Sequence, residues 1–202
     1  MDFYLESYGQ WGNLIMPKNI RILCEGISDR DSLRELLSKE NLNKKIIKFD
    51  SRSRLLKKVN QYIRNYQGIV DVFLIIIDSH CTDPSIIYDK VHQSIERPNR
   101  GKVRIHIIEH ALESWFLAEN NAIKQRFGIN FSPISNPQTI CKPDEVLQDL
   151  LRGAGILKYK KAIHAKAISK EIQTEDLKNK SENYRSFINL LLEAQLDNNW
   201  RN

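Results

Sequence analysis

Acidic side chains stand directly after apolar runs of the sequence, where they could do chemistry. Glu25 follows IRILC, Asp78 follows VFLIII, and Glu113 lies in HALESWFLAE just beyond VRIHII. Ligands of open parallel sheets bind beyond the carboxyl ends of the strands, so carboxylates at these places are candidates for a shared site. Glu25 and Asp78 would repel each other unless a cation joined them. Because hard oxygen ligands favour Mg²⁺ or Mn²⁺, the pattern predicts a divalent metal site.

The loop after Asp78 adds His80 and Asp83 to the candidate metal ligands. A carboxylate between a strand and a helix is often only a helix cap, because it interacts favourably with the helix N-terminus. That explanation suits Asp29, which follows the turn that Gly26 permits. It suits Glu25 and Asp78 less well, since both stand at the ends of strands and before the first turn of the following helix.

The elements that must position these residues alternate between strand and helix. Short β-branched runs and segments of helical period give a βαβαβαβ series from residue 19 to residue 108. The strands read as continuous apolar runs, which is typical of a parallel sheet with helices on both faces. The sequence therefore predicts an α/β, Rossmann-like fold with about four parallel strands and right-handed crossovers.

Helical patterns replace strands after Ile108, and a segment with three prolines spans residues 130–143. Proline-rich segments between periodic ones mark loops or linkers. We therefore expect an N-terminal arm at residues 1–18, an α/β domain at residues 19–130 and a helical C-terminal subdomain at residues 131–202.

Positive charge is concentrated in one part of the chain. The net charge is +6, from 31 basic and 25 acidic residues, and six cations without one acid lie between residues 152 and 170. Such a stretch suits a nucleic-acid-binding face, although a solvated helix face is the plainer alternative. The candidate nucleic-acid contacts are Arg152, Lys158, Lys160, Lys161 and Lys166.

Several protein classes are disfavoured. The longest apolar run, Val72 to Ile77, is far shorter than the roughly 18 residues of a membrane span, so no membrane association is expected. The N-terminus does not resemble a secretory signal. The three cysteines form no CxxC pair, which indicates a reducing compartment and a cytoplasmic location. Neither a P-loop nor a dinucleotide-binding fingerprint is present.

The sequence resembles a known family at several places. CEGISD after the first strand and the aspartate after the third look like the Toprim domain of topoisomerases, primases and overcoming-lysogenization-defect (OLD) nucleases. ALESWFLAE, KPDEVL, YKKAIHAKAI and RSFINLL are similar to the stand-alone, Toprim-related family DUF4276. The similarity extends from Asn19 to about Leu192.

The resemblance implies a carboxylate-rich site that uses Mg²⁺ or Mn²⁺. In it Glu25 would be the general acid or base, while Asp78 and Glu113 would bind metal. Toprim domains usually carry Asp-x-Asp after the third strand, whereas this chain has Asp78-Ser79-His80. His80 is therefore a metal ligand, a general acid or an inert loop residue, and the sequence leaves all three open.

Three functions are compatible with these features. The leading hypothesis is a metal-dependent nuclease that cleaves DNA or RNA, with water activated by the metal and Glu25 handling the proton. The resemblance further implies a part in phage defence, acting with a separate ATPase. The alternative is a non-catalytic metal- or nucleotide-binding module that docks a partner ATPase. A weaker third hypothesis is a phosphatase or nucleotidyl-transfer enzyme acting on small molecules.

Overall fold

The structure, a computed structural model, describes residues 18–196 and contains a four-stranded parallel sheet of order β2-β1-β3-β4. The strands are β1 (Ile20–Cys24), β2 (Lys44–Lys48), β3 (Val72–Asp78) and β4 (Val103–Ile108). The predicted α/β fold with about four parallel strands is confirmed. The predicted arm at residues 1–18 lies almost wholly outside the described residues.

Helices follow each strand and then continue to the C-terminal end of the described chain. They are α1 (Ile27–Leu36), α2 (Arg52–Tyr66), α3 (Pro84–Ser94), α4 (Glu113–Ala118), α5 (Asn120–Phe127), α6 (Pro143–Gly153), α7 (Lys161–Glu171), α8 (Thr174–Lys180) and α9 (Glu182–Leu196). Short 3-10 turns lie at Arg97–Lys102 and Pro137–Thr139.

The sheet is covered on both faces because neighbouring residues of a strand point to opposite sides. On one face, Phe73 and Ile75 pack against a row of buried side chains four residues apart in α2, namely Leu55, Val59 and Ile63. Burial of each such side chain contributes roughly 1.5–3 kcal/mol. This face holds α2 and α3 against the sheet.

The opposite face carries the larger core. Leu74 and Ile76 of β3 belong to one buried cluster with side chains of α1 and of all the helices from α4 to α9. Trp115 and Phe116 of α4 are fully buried there. The cluster includes residues from both halves of the chain, and within it α7 packs against α1 and α5.

Two helices differ from the sequence pattern. The helical run beginning at His110 is interrupted at Glu119, whose carboxylate accepts the N–H of Ala122 and starts α5. The polar helix α8 has no apolar period that would predict it. Its charges nevertheless suit a helix, with Glu175 and Asp176 in the first turn and lysines in the last.

The cysteines correct one expectation. Cys81 and Cys141 form a disulfide with their Cα atoms 5.0 Å apart, whereas the sequence indicated unpaired thiols. The fold brings the loop after β3 against the start of α6, a contact that a separation of 60 residues does not reveal. Cys24 is buried and free. Between residues 18 and 196, no helix is both long and apolar enough to cross a lipid bilayer.

Candidate functional site

The site lies at the carboxyl edge of the two central strands. β1 and β3 are parallel neighbours, with β2 on the far side of β1 and β4 on the far side of β3. Successive strands are therefore added on opposite sides of β1, and the strand order reverses between β1 and β3. Open α/β sheets bind ligands at such a place. Glu25 directly follows β1 and Asp78 ends β3, so the two carboxylates lie at this point.

Three carboxylates from separate elements surround one ammonium group. Lys161 Nζ lies 3.4 Å from Asp29 Oδ1, 3.4 Å from Glu113 Oε2 and 3.7 Å from Asp78 Oδ2. Asp29 belongs to α1, Asp78 to β3, Glu113 to α4 and Lys161 to the first turn of α7. We call Asp29, Asp78, Glu113 and Lys161 the carboxylate cluster. Tertiary packing alone creates it.

Asp29 has two functions in this arrangement. Its Oδ2 accepts the backbone N–H of Gly26 at 2.9 Å, so the predicted capping of α1 is confirmed. Its Oδ1 is buried, faces Lys161 and accepts no hydrogen bond. The contact with Gly26 is close, because a Cβ at position 26 would lie 3.2 Å from Asp29 Oδ2.

Glu113 is the most enclosed member of the cluster, with no exposed surface. Its Oε1 accepts the hydroxyl of Tyr159 at 3.0 Å, while Oε2 accepts no hydrogen bond and faces Lys161. Tyr159 is fixed in turn by Gln148 of α6, whose side-chain oxygen accepts the Tyr159 N–H at 2.5 Å. The helices of the C-terminal half thus orient Glu113 from outside the sheet.

Burial and crowding change the acidity of these groups. Burial raises the pKa of Asp78 well above its usual range, Lys161 opposes the rise, and the carboxylates of Asp29 and Glu113 add to it. For Lys161, burial disfavours the charge, but Glu113, Asp78 and Asp29 together outweigh it and raise the pKa. Burial, followed by the charge of Glu113, raises the pKa of Tyr159, which stays a neutral donor.

Glu25 is held by a different cation. Arg52, the first residue of α2, donates from Nε to Glu25 Oε1 at 3.0 Å. Its Nη2 donates to the backbone carbonyl of Asp78. Arg52 therefore joins the residue after β1 to the last residue of β3.

The loop after Asp78 is fastened to the loop after β4. The N–H of Ser79 donates to the Ile108 carbonyl at 2.8 Å, and the N–H of His80 donates to the His110 carbonyl at 2.6 Å. His80 and His110 both have positive φ angles, of 51° and 61°, which are uncommon for residues other than glycine. The side chain of His80 is exposed.

Asp83 acts as the N-cap of α3, with its Oδ1 accepting both the N–H and the hydroxyl of Ser85. The structure thus brings Asp78 and Glu113 together and places His80 and Asp83 outside the carboxylate cluster. Metal binding by these four side chains stays a prediction.

The basic stretch divides between the site and the surface. Lys161 enters the carboxylate cluster, while Lys158 and Lys160 are exposed immediately before α7. Lys166, also exposed, lies 3.8 Å from Glu35, and Arg152 pairs with Asp149. Four of the five proposed nucleic-acid contacts therefore lie on the surface, and the fifth lies in the candidate site.

The oxygen atoms of the cluster match the chemistry of Mg²⁺ or Mn²⁺. Within the described part of the chain, no three histidine, cysteine, aspartate or glutamate side chains are already arranged around one metal position. The oxygens of Asp29, Asp78 and Glu113 surround the Lys161 ammonium instead. Two carboxylate oxygens of the cluster, Asp29 Oδ1 and Glu113 Oε2, are buried without hydrogen bonds, and a further cation would satisfy them. The residues present therefore fit a divalent ion by donor type.

The sequence pattern did not indicate a place in the site for Arg52 or Tyr159, and it predicted that Lys161 lies on the surface. Lys161 lies one residue from Lys160 and looks like any other lysine of the basic stretch. The absence of acids around it was the available signal, since a lysine without local partners can pair with distant carboxylates. Arg52 had a weaker signal, its place at the start of the helix that follows the second strand.

Comparisons with known proteins give a family and a pair of solved structures. The family described as a domain of unknown function (DUF4276) matches residues 24–192. The chain is also similar to the C-terminal region of the Xanthomonas campestris pv. campestris OLD protein, in structures phased with iodine and with mercury. The identities are 15% and 12%, and the TM-scores are 0.47 and 0.43. Each alignment covers 86% of this chain and 97% of the other. No curated protein matches.

Proposed function

The chain belongs to the DUF4276 family, and we propose that it is a Toprim-type hydrolase that cleaves nucleic-acid phosphodiesters with Mg²⁺ or Mn²⁺. The observation that carries the proposal is the convergence of Asp29, Asp78 and Glu113 on one cation position. Glu25 lies at the end of the neighbouring strand.

The charge of the site supports a divalent ion. Glu25, Asp29, Asp78 and Glu113 contribute −4 when ionised, and Lys161 and Arg52 contribute +2, which leaves −2. A divalent cation would balance that charge. Burying carboxylates without such compensation is costly, because an uncompensated buried charge loses its hydration. The raised pKa of Asp78 is a sign of that cost.

Each residue has a chemical task in the proposed reaction. Asp78, Glu113 and Asp29 would hold the ion, which supplies Lewis acidity toward the phosphate and makes bound water more acidic. Glu25 accepts or donates the proton, and its place outside the carboxylate cluster leaves it available for that task. Lys161 donates N–H groups toward a phosphate oxygen, and Tyr159 keeps Glu113 oriented.

Nucleic acid is the proposed substrate because exposed cations adjoin the site. Lys158 and Lys160 lie just before Lys161 in the sequence, so a backbone that reaches the cluster passes next to them. Lys166 extends the same charge along α7. Contacts of this kind bind phosphates without reading bases, and they serve DNA and RNA alike.

A second candidate is a non-catalytic Toprim module that binds metal or nucleotide and docks a separate ATPase. The observation that favours it is that Lys161 already neutralises part of the cluster charge. His80, in place of the usual second aspartate, is consistent with it. Action in phage defence with such an ATPase is part of the proposal under either candidate.

The experiment is a cleavage assay on plasmid, single-stranded DNA and transfer RNA with Mg²⁺, Mn²⁺ or a chelator. We expect cleavage with metal only, and loss of cleavage in Glu25→Gln, which removes the charge and nearly preserves the shape. The matched control is Glu145→Gln, because Glu145 is an exposed glutamate that pairs with Lys142 and has no part in the proposed reaction. Wild-type turnover by Glu25→Gln at saturating metal would contradict the role of Glu25. Absence of cleavage on every substrate would favour the second candidate.

A further inference from the structure

Arg52 occupies a place where it can control the geometry of Glu25. β2 ends at Lys48, Ser51 caps α2, and Arg52 begins the helix at the carboxyl edge of the sheet. The side chain extends past β1 to the end of β3 and is only 27% exposed. Its direction is therefore set by two neighbouring elements and not by solvent.

Two contacts of the guanidinium are directional. Nε donates to Glu25 Oε1 at 3.0 Å, and Nη2 donates to the carbonyl of Asp78. Within residues 18–196, Glu25 has no other ion pair and no other side-chain hydrogen bond. The contact with Arg52 is therefore the one directional contact that orients its carboxylate within that range.

The second contact matters because of the sheet register. The last pair between β1 and β3 is Leu23 with Ile75, and β3 then continues to Asp78. On its β1 side, the end of β3 therefore has no strand partner. Arg52 fills that place, so that one planar group sets the relative position of Glu25 and the backbone that carries Asp78.

We infer that Arg52 is a positioning residue that clamps Glu25 to the end of β3 and keeps its carboxylate in reach of the cation position. This inference rests on the proposed function. A guanidinium has five N–H donors in a rigid plane, whereas a lysine ammonium is a point charge on a flexible stem. Both contacts together require the guanidinium.

The kinetic test compares Arg52→Ala, Arg52→Lys and the control Arg54→Ala. Arg54 lies two residues further along α2, is 54% exposed and pairs with Asp50. We expect Arg52→Ala to lose about 100-fold in kcat with KM unchanged, since a misplacement of about 1 Å can cost that much. Added guanidinium ion should restore part of the rate, Arg52→Lys should restore little, and Arg54→Ala should match wild type. A raised KM at unchanged kcat would make Arg52 a substrate contact and overturn the inference, as would an Arg52→Ala variant that behaves like Arg54→Ala.

A second measurement does not depend on cleavage. Urea unfolding midpoints of Glu25→Ala, Arg52→Ala and the double variant form a double-mutant cycle. If Arg52 clamps Glu25, the double variant should shift the midpoint by less than the sum of the single shifts. Additive shifts would overturn the inference. If the wild-type protein cleaves nothing, the proposed function fails, and the cycle still decides whether the clamp exists.

Discussion

Replacing Lys161 by methionine should destabilise the protein and make its stability depend on divalent metal. Methionine keeps most of the side-chain volume and removes the charge. Three carboxylates then lose the cation that lies 3.4–3.7 Å from them. Glu113, which has no exposed surface, loses its only ion pair within the described residues.

The magnitude follows from the burial of the partners. Breaking a fully buried pair costs about 3–5 kcal/mol, while exposed pairs contribute about 0–1 kcal/mol. The Lys161 side chain is 36% exposed, so solvent screens part of the interaction. We therefore expect a loss of about 2 kcal/mol, an intermediate value between these limits. For a chain of this size that corresponds to a fall in Tm of roughly 4–8 °C.

The assay is calorimetric unfolding of wild type, Lys161→Met and Lys166→Met, first with chelator and then with Mn²⁺. Lys166 is on the same helix but is 45% exposed and lies 3.8 Å from Glu35, so its loss should change Tm by no more than about half as much as the loss of Lys161. Mn²⁺ should raise the Tm of Lys161→Met more than that of wild type, because in the variant the ion also compensates the carboxylate charge that Lys161 otherwise balances. An unchanged Tm for Lys161→Met in chelator would refute the electrostatic account of the cluster.

Three further predictions concern the surface, the loop after Asp78 and the core. Replacing Lys158, Lys160 and Lys166 by Ala should lower the slope of log affinity for nucleic acid against log salt by about one unit or less per lost phosphate contact; an equal slope would indicate a solvated face. His80→Asp should shift cleavage from Mn²⁺ toward Mg²⁺, because a carboxylate is a harder ligand than imidazole; an identical activity ratio would mean that His80 does not contact metal. Burial lowers the pKa of His106 from 6.5 to about 4, so the unfolded chain binds the proton more tightly. The free energy of unfolding should therefore fall as pH falls from 6.5 to about 4, by up to about 1.4 kcal/mol per pH unit. In urea unfolding, His106→Gln should make the free energy of unfolding depend less on pH over this range.

The strands and the two strand-end carboxylates could be predicted because their signals are local. A run such as VFLIIID shows both burial on two faces and the position where the strand ends. Parallel strands then place Glu25 and Asp78 at the same edge without further information. The helices α2 and α3 follow from the spacing of their apolar residues.

The rest of the site depends on contacts between distant segments. Lys161 meets Asp78 across 83 residues, and Tyr159 meets Glu113 across 46. Nothing in the sequence near Lys161 distinguishes it from Lys160, since only the packing of α7 against α1 directs one inward and the other outward. The pairing of Cys81 with Cys141 was missed for the same reason.

The break at Glu119 was missed for a different reason. Its carboxylate competes with the helical backbone for the N–H of Ala122, and a propensity argument does not show which of the two acceptors is used.

The most direct test of the central claim is to titrate Mn²⁺ into the metal-free protein and measure the bound ion by electron paramagnetic resonance. We expect saturable binding to wild type and its loss in Asp78→Asn and Glu113→Gln. Asp89→Asn is the control, because Asp89 is an exposed aspartate of α3 outside the carboxylate cluster, and it should bind as wild type does. No saturable binding by wild type, or equal binding by Asp78→Asn, would contradict the assignment of the carboxylate cluster as a divalent metal site.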